Sequence, residues 1–333
     1  MTTSAATSPG TASTGLQALA PSLLQAAALA PSSHNTQPWL FRIGDRSIDL
    51  LADRTRALPV NDPRDRELTI SCGCALFNLR VAAAAAGLDA DMALWPDPCD
   101  ADLLARVLLT APAALADALA LAELAPAMSE RHTVRERFAP TSVDASLLRR
   151  LADAAASEGA TLVVLEAEDQ RQQAAALVAE GDAVQWASPS WRRELAAWMH
   201  PRRRGDGLTL PALAIPVAQA VVRSFDMGGG IGAKDRQLAD ESPVLAVLAS
   251  DGDDAHHWLA TGQALQRLLL TGVRLGLQAS YLNQPVQVAP LRPRLQQIAG
   301  GPGWPQLLLC LGSPARVVPA APRRPLADIL ADR

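Results

Sequence analysis

Apolar and polar positions along this chain switch between a helical and an alternating period, and the switches predict its elements. Leu23-Leu24-Gln25-Ala26-Ala27-Ala28-Leu29 reads as a helix, and Trp39-Leu40-Phe41-Arg42-Ile43 alternates as a strand should. Between them stands Ala30-Pro31-Ser32-Ser33-His34-Asn35-Thr36-Gln37-Pro38, where Pro31 stops the helix and Pro38 fixes the approach to the strand. Taken alone the stretch is an αβ connection rich in turn formers. Its density of hydroxyl, amide and imidazole groups also equips it to hold a ligand.

The pattern occurs twice. Offset by 189 positions, Ser71–Asp91 aligns with Ala260–Ser280, matching Gly73 to Gly262, Leu76 to Leu265, Leu79 to Leu268 and Gly87-Leu88 to Gly276-Leu277. Both stretches predict helices with an apolar face that end at a glycine suited to a left-handed cap. Each precedes a proline-containing connection and a strand, 105–110 in the first half and 306–311 in the second. Upstream, helix 21–30 and strand 39–43 correspond to helix 144–157 and strand 161–166. The expectation is therefore an α+β fold of two tandem units, residues 16–125 and 126–333, with an extra segment at about 170–240 in the second. Residues 1–15 are expected to be a loose tail.

The two copies differ in polar equipment. Arg131-His132-Thr133-Val134-Arg135 precedes the first helix of the second copy and has no counterpart in the first, whereas the Pro-Ser-Ser-His-Asn loop is replaced by Ser157-Glu158-Gly159-Ala160 in the second. Complementary motifs on duplicated units suggest one composite site at their interface. An extended backbone would place Arg131, Thr133 and Arg135 on one side, and forked guanidinium donors suit a phosphate. Arg323-Arg324, between Pro322 and Pro325, offers a further cation; the competing reading pairs these arginines with Glu130, Glu136 and Asp328 on the surface.

Composition narrows the partners. The 333 residues are 49% hydrophobic, enough for a large core, and the net charge of -4 with 30 basic and 34 acidic residues offers no broad field for nucleic acid. Arg202-Arg203-Arg204 reads as a solvated loop. No signal peptide is expected, and the apolar stretch 208–222, broken by Pro211 and Pro216, is too short to span a bilayer. Cys72 and Cys74 lie about 200° apart on a helical wheel. With Cys99 and Cys310 solitary, neither a zinc site nor a redox pair is expected, and the thiols read as reduced in a cytoplasmic protein. His256-His257 reads as a solvated helix start.

Together PSSHNTQPW, RHTVR, Gly276-Leu277, Leu282-Asn283-Gln284-Pro285 and Arg323-Arg324-Pro325-Leu326 occur in an order that resembles the flavin-dependent nitroreductase family, and within it the tandem-domain Acg-like FMN-binding branch. That resemblance implies a nitroreductase-like fold in which two fused units form a pseudo-dimer with a single FMN. It implies that Arg131, His132, Thr133 and Arg135 hold the phosphate, the ribityl chain and one ring edge, with Arg323 or Arg324 completing the phosphate site. Ser32, Ser33, His34, Asn35 and Gln37 would reach the cofactor from the other half, and Ser280, Leu282, Asn283 and Gln284 would line the flavin face. His34, Asn283 and Gln284 are the catalytic candidates, His34 as proton donor and the two amides as stabilisers of charge on the reduced ring.

The implied activity is electron transfer from NAD(P)H through FMN to a small electrophile of nitroaromatic or quinone type; the alternative is an FMN-sequestering protein with little turnover. No nucleic-acid or membrane partner is expected, and dimerisation beyond the pseudo-dimer stays open. The inserted segment, with Trp186, Trp191 and Trp198, reads as a satellite core or as a lid over the flavin. Gly228-Gly229-Gly230-Ile231-Gly232 has the letters of a dinucleotide fingerprint but too short a following helix, and is expected to be a flexible hinge.

Overall fold

In the computed structural model, the described residues are 10–111, 115–200, 205–208, 214–301 and 303–332. Residues 1–9, the basic run 202–204 and part of the apolar stretch 208–222 lie outside them. The first element among the described residues is α1 (Gly10–Ala27), so the last residues of the stretch expected as tail are helical. There follow β1 (Trp39–Ile43), β2 (Ser47–Ala52), α2 (Arg66–Ala85), β3 (Asp89–Leu94), β4 (Leu103–Thr110), α3 (Leu115–Ala122) and α4 (Ala125–Glu130). The second half runs α5 (Ala145–Ala156), β5 (Thr161–Val164), α6 (Glu168–Ala187), α7 (Pro189–Ala197), α8 (Ile215–Ser224), α9 (Gly228–Glu241), β6 (Val244–Ser250), α10 (Ala255–Arg274), β7 (Gln278–Tyr281), α11 (Gln284–Gln287), α12 (Arg292–Ala299) and β8 (Trp304–Gly312).

Two antiparallel four-stranded sheets result, ordered β1-β2-β4-β3 and β5-β6-β8-β7, the same arrangement in each half. The alternation read in Trp39–Ile43 is real: Trp39 and Phe41 are fully buried while Leu40 and Arg42 are half-exposed. Strands β2, β3 and β7 lack so clear a signature, since β2 is buried almost throughout and β3 is mostly exposed. Gly87 and Gly276 adopt φ of 75° and 76°, ending α2 and α10 by the expected left-handed caps, and Leu88 and Leu277 donate back to Ala83 and Gly272.

Helices α2 and α10 lie against each other at the centre. α2 is long and apolar enough to cross a membrane by length and composition, but 83% of that window is buried within the fold, as suits a core helix. The aligned glycines Gly73 and Gly262 meet face to face. A Cβ on Gly73 would lie 2.2 Å from the Leu259 carbonyl oxygen, and one on Gly262 would lie 2.0 Å from that of Ile70. Ile70 and Leu259 are separated by the same offset as the glycines, so the contact is self-complementary, the pattern of an isologous interface.

The inserted helices α6–α9 connect β5 to β6, which pair directly as antiparallel neighbours. The glycine run is not a hinge: residues 228–232 form the first turns of α9, where Gly228 and Gly232 let α9 close on α6 near Trp186 and Ala179. At the other end, the C-terminal segment returns to the first half. Leu330 bridges Phe41 in parallel, the Ala331 amide donates to the Phe41 carbonyl at 2.9 Å, and Ile329 is buried. That return carries Arg323 and Arg324 to the Pro31–Pro38 loop.

Candidate functional site

The Pro31–Pro38 loop is fixed by its own polar groups. The Ser32 hydroxyl accepts from the Gln37 amide at 2.9 Å, and Asn35 Nδ2 donates to the Pro322 carbonyl at 3.2 Å. His34, Asn35 and Gln37 all take positive φ, 50°, 54° and 51°. Such backbone costs about 1–3 kcal/mol per non-glycine residue and persists only where surroundings enforce it, often at ligand sites. Ser33 donates to Glu67 Oε2 at 2.5 Å, linking the loop to the first turn of α2.

Residues 131–135 run extended along β7, an edge of the second sheet: Thr133 bridges Ala279, the Val134 amide donates to the Ala279 carbonyl at 2.9 Å, and the His132 amide donates to Gln278 Oε1 at 3.0 Å. Val134 is buried in the second core cluster, while Arg131, His132, Thr133 and Arg135 line a cavity of about 380 Å³. Pro31, Ser32, Ser33, His34 and Asn35 line the same cavity from the first half, with Ser280, Tyr281, Asn283 and Gln284 after β7 and Arg323 from the C-terminal return.

Three cations face this space without an ion-pair partner among the described residues. Arg131 is 5% exposed; its Nη2 donates to the Leu29 carbonyl at 3.3 Å and its Nε is buried without a partner. Arg323 Nη2 donates to the same carbonyl at 2.9 Å, Nη1 to Asn35 Oδ1 at 3.3 Å, and its Nε is also orphaned. Among the described residues neither arginine, nor Arg135, forms an ion pair, which excludes the surface-pairing alternative for them. Burial depresses all three guanidiniums below their usual range, and Arg131 adds to the effect on Arg323. Burial likewise holds His34 below the ordinary imidazole value, with Glu67 opposing and Arg135 reinforcing, so His34 is neutral at pH 7. Its Nδ1 has no partner.

Three of the sequence candidates do not reach the cavity. Gln37 is fully buried and ties the loop to its surroundings, donating to the Gly205 carbonyl at 2.7 Å and accepting from the Arg324 amide at 2.9 Å. Arg324 turns away to Asp53 at 3.4 Å and to the Gln37 and Trp39 carbonyls, so Arg323 alone of the pair faces the site. Leu282 is 2% exposed in the second core. Of the catalytic amides, Asn283 Oδ1 accepts from the Leu308 amide at 3.1 Å, and Gln284 Nε2 donates to Asp182 and Asp235.

Sequence reasoning missed Glu67, Tyr281, Asp182, Asp235 and Gln287, which also line the cavity. Tyr281, whose buried hydroxyl is unpartnered, is the chain's single tyrosine and directly follows Ser280, a signal that was available. The others sit singly on helices with no motif around them. The insertion is both satellite core and cavity wall: Trp186 and Trp191 stack edge to face at 5.4 Å in a cluster with Leu195 and Val222, and Trp186, Trp191 and Leu195 line the cavity.

The model of the nitroreductase family matches residues 128–313. Similar proteins occur in Mycobacterium tuberculosis (strain H37Rv), two of them as follows. One, named "Putative NAD(P)H nitroreductase Rv3131", is 31% identical over 92% of this chain and 90% of its own length. The other, "Putative NAD(P)H nitroreductase acg", is 27% identical over 92% and 94%. Among solved structures, the FMN and NADPH-dependent nitroreductase NfnB from a sphigopyxis strain is 20% identical, covering 63% of this chain and 98% of its own, with a TM-score of 0.40.

Proposed function

This chain belongs to the nitroreductase family, and from that premise we propose that it is a flavin-dependent oxidoreductase holding one FMN in the cavity between its halves. The observation that carries this reading is the pair Arg131 and Arg323, brought from distant parts of the sequence, the first buried and the second half-buried, each with a buried, unpartnered Nε and no ion-pairing carboxylate. Burying a cation without a counterion is costly. A phosphate supplies both the charge and the oxygen acceptors that these forks lack.

Arg131, Arg323 and Arg135 would take the phosphate. Thr133, His132 and the Ser32–Asn35 loop would meet the body of the cofactor, with Ser280 and Tyr281 on the opposite wall. When bound, FMN supplies two-electron chemistry, taking hydride from NAD(P)H and passing electrons to a nitroaromatic or quinone acceptor. The chain's part is orientation and exclusion of water. A neutral His34, held in left-handed backbone with a free Nδ1, is suited to hydrogen-bond a ligand heteroatom or to hold a proton beside it. Gln284, whose NH₂ is engaged by two carboxylates, has only its carbonyl left to offer, so the candidate for charge stabilisation narrows to Asn283 Nδ2 and nearby backbone amides.

The single-flavin, pseudo-dimer reading is supported by the repeated sheet order and by the self-complementary Gly73–Gly262 contact. Flavin sequestration is the second reading, favoured by the tryptophan-bearing insertion along the cavity wall. Both require a yellow protein with one FMN per chain. Sustained NAD(P)H oxidation with menadione or nitrofurazone supports the oxidoreductase, and flavin that stays oxidised under anaerobic NAD(P)H supports sequestration. A colourless protein that cannot be reconstituted with FMN overturns both.

A further inference from the structure

At its inserted wall the cavity carries the opposite charge. Asp182 on α6 and Asp235 on α9 line it, and Gln284 Nε2 donates to both, at 3.2 Å to Asp182 Oδ1 and 2.9 Å to Asp235 Oδ2. This convergence is built in. A Cβ on Gly181 would lie 2.6 Å from the Gln284 Cβ, so only glycine lets α6 approach α11 closely enough to set Asp182 beside that amide. Asp182 is 2% exposed, yet its Oδ2 has no partner, and neither has the buried Gln284 Oε1. Among the described residues no Arg, Lys or His forms an ion pair with either carboxylate. Glu67, the other carboxylate at the cavity, is satisfied by Ser33, Gln287 and Arg66.

The two hydrogens of the Gln284 NH₂ are spent, and what remains is acceptors: the buried Asp182 Oδ2 and Gln284 Oε1, beside the half-buried Asp235 carboxylate. Such acceptors are satisfied by a group that brings several N–H donors and a positive charge. Resting on the flavin-site reading above, we propose that Asp182, Asp235 and Gln284 form a subsite for the cationic nitrogen of the substrate, so that the electron acceptor is an amine-, amidine- or guanidine-bearing molecule. Both carboxylates stand on the insertion, apart from the arginines, and no ion pair joins the two sets. The arginine end holds the anionic cofactor and the carboxylate end selects the second ligand. Burial and the neighbouring Asp235 hold the Asp182 carboxyl up at about 7, as expected of a pair awaiting a cation.

The test compares 4-nitrobenzylammonium with 4-nitrobenzyl alcohol, a cationic and a neutral probe of the same size, by calorimetric titration of the purified protein at pH 8. A charge-assisted bond of about 1.5–3 kcal/mol makes the ammonium bind roughly 10–150-fold tighter in the wild type. The Asp182→Asn/Asp235→Asn protein should lose that preference while keeping its flavin-to-protein ratio. Equal affinities in the wild type, binding of neither probe, or a preference retained in a folded double variant overturns the subsite; the first two are read without any variant. Flavin content, measured on the same samples, reports separately on the cofactor reading, which fails only if the protein neither carries nor takes up FMN.

Discussion

Replacing Arg131 by methionine should stabilise the flavin-free protein and weaken flavin binding at once. The guanidinium is 5% exposed, donates one long hydrogen bond of 3.3 Å to Leu29, and leaves Nε unpartnered. Methionine fills a similar volume without the charge. Losing the Leu29 bond costs about 1 kcal/mol. Removing an uncompensated buried cation recovers several kcal/mol, discounted here because the group lines a cavity that admits water. The net gain is about 1–3 kcal/mol, a rise of a few degrees in the melting temperature of stripped protein. Flavin affinity should fall about 10–150-fold, the worth of a charge-assisted bond to phosphate. Differential scanning fluorimetry of the stripped proteins and fluorimetric titration with FMN measure the two effects. A stripped variant that melts lower while binding FMN as the wild type does would show that Arg131 is a structural cation, and the phosphate reasoning would be refuted.

Three further outcomes follow from particular contacts. In Asp182→Asn the stability gain should depend on pH. The native carboxyl is held near 7 against an ordinary 3.8; the folded state therefore keeps a proton that the unfolded state releases, and the penalty grows as pH rises from about 4 to 7 and is complete above 7. The variant should gain about 1–3 kcal/mol at pH 8 and much less at pH 4.5; an equal gain at both contradicts the assignment. Gly73→Val should lower the melting temperature by several degrees, because its Cβ would meet the Leu259 carbonyl oxygen at 2.2 Å between α2 and α10; unchanged thermal unfolding would place these helices differently. Trp186 and Trp191 line the cavity, so added FMN should quench tryptophan emission in the wild type, and the Trp186→Phe/Trp191→Phe protein should lose much of that quenching; equal fractional quenching would put the flavin elsewhere.

Much of the framework is legible in the residues themselves. The period of 189 and the glycines inside and at the ends of α2 and α10 anticipate the central helix pair, because close approach and left-handed caps leave no other residue type comfortable there. The extended run Arg131–Arg135 is expected to aim Arg131, Thr133 and Arg135 at one space, and the structure brings them there, with His132 beside them, by adding the run to the edge of β7. What the sequence hides is partnership. Arg323 and Arg324 are adjacent and chemically identical, and only the fold shows that Asp53 takes one while the other faces the cavity. Gln37 shares the polarity of the loop around it but serves to fasten that loop to Gly205 and Arg324. The glycine run at Gly228 reads as a hinge until its neighbour α6 is known, and Asp182 and Asp235, far apart on two helices of an insertion, carry no local signal of their meeting at Gln284.

The flavin-to-protein ratio of the reconstituted, desalted protein tests the composite site most directly, with Arg131→Ala/Arg323→Ala prepared alongside. Because the serine–histidine loop occurs in one half and the arginine strand in the other, the wild type should retain one FMN per chain and the double variant essentially none. Two flavins per chain, or a double variant as yellow as the wild type, would contradict a single flavin site shared between the halves, with its phosphate held by the arginines of the second.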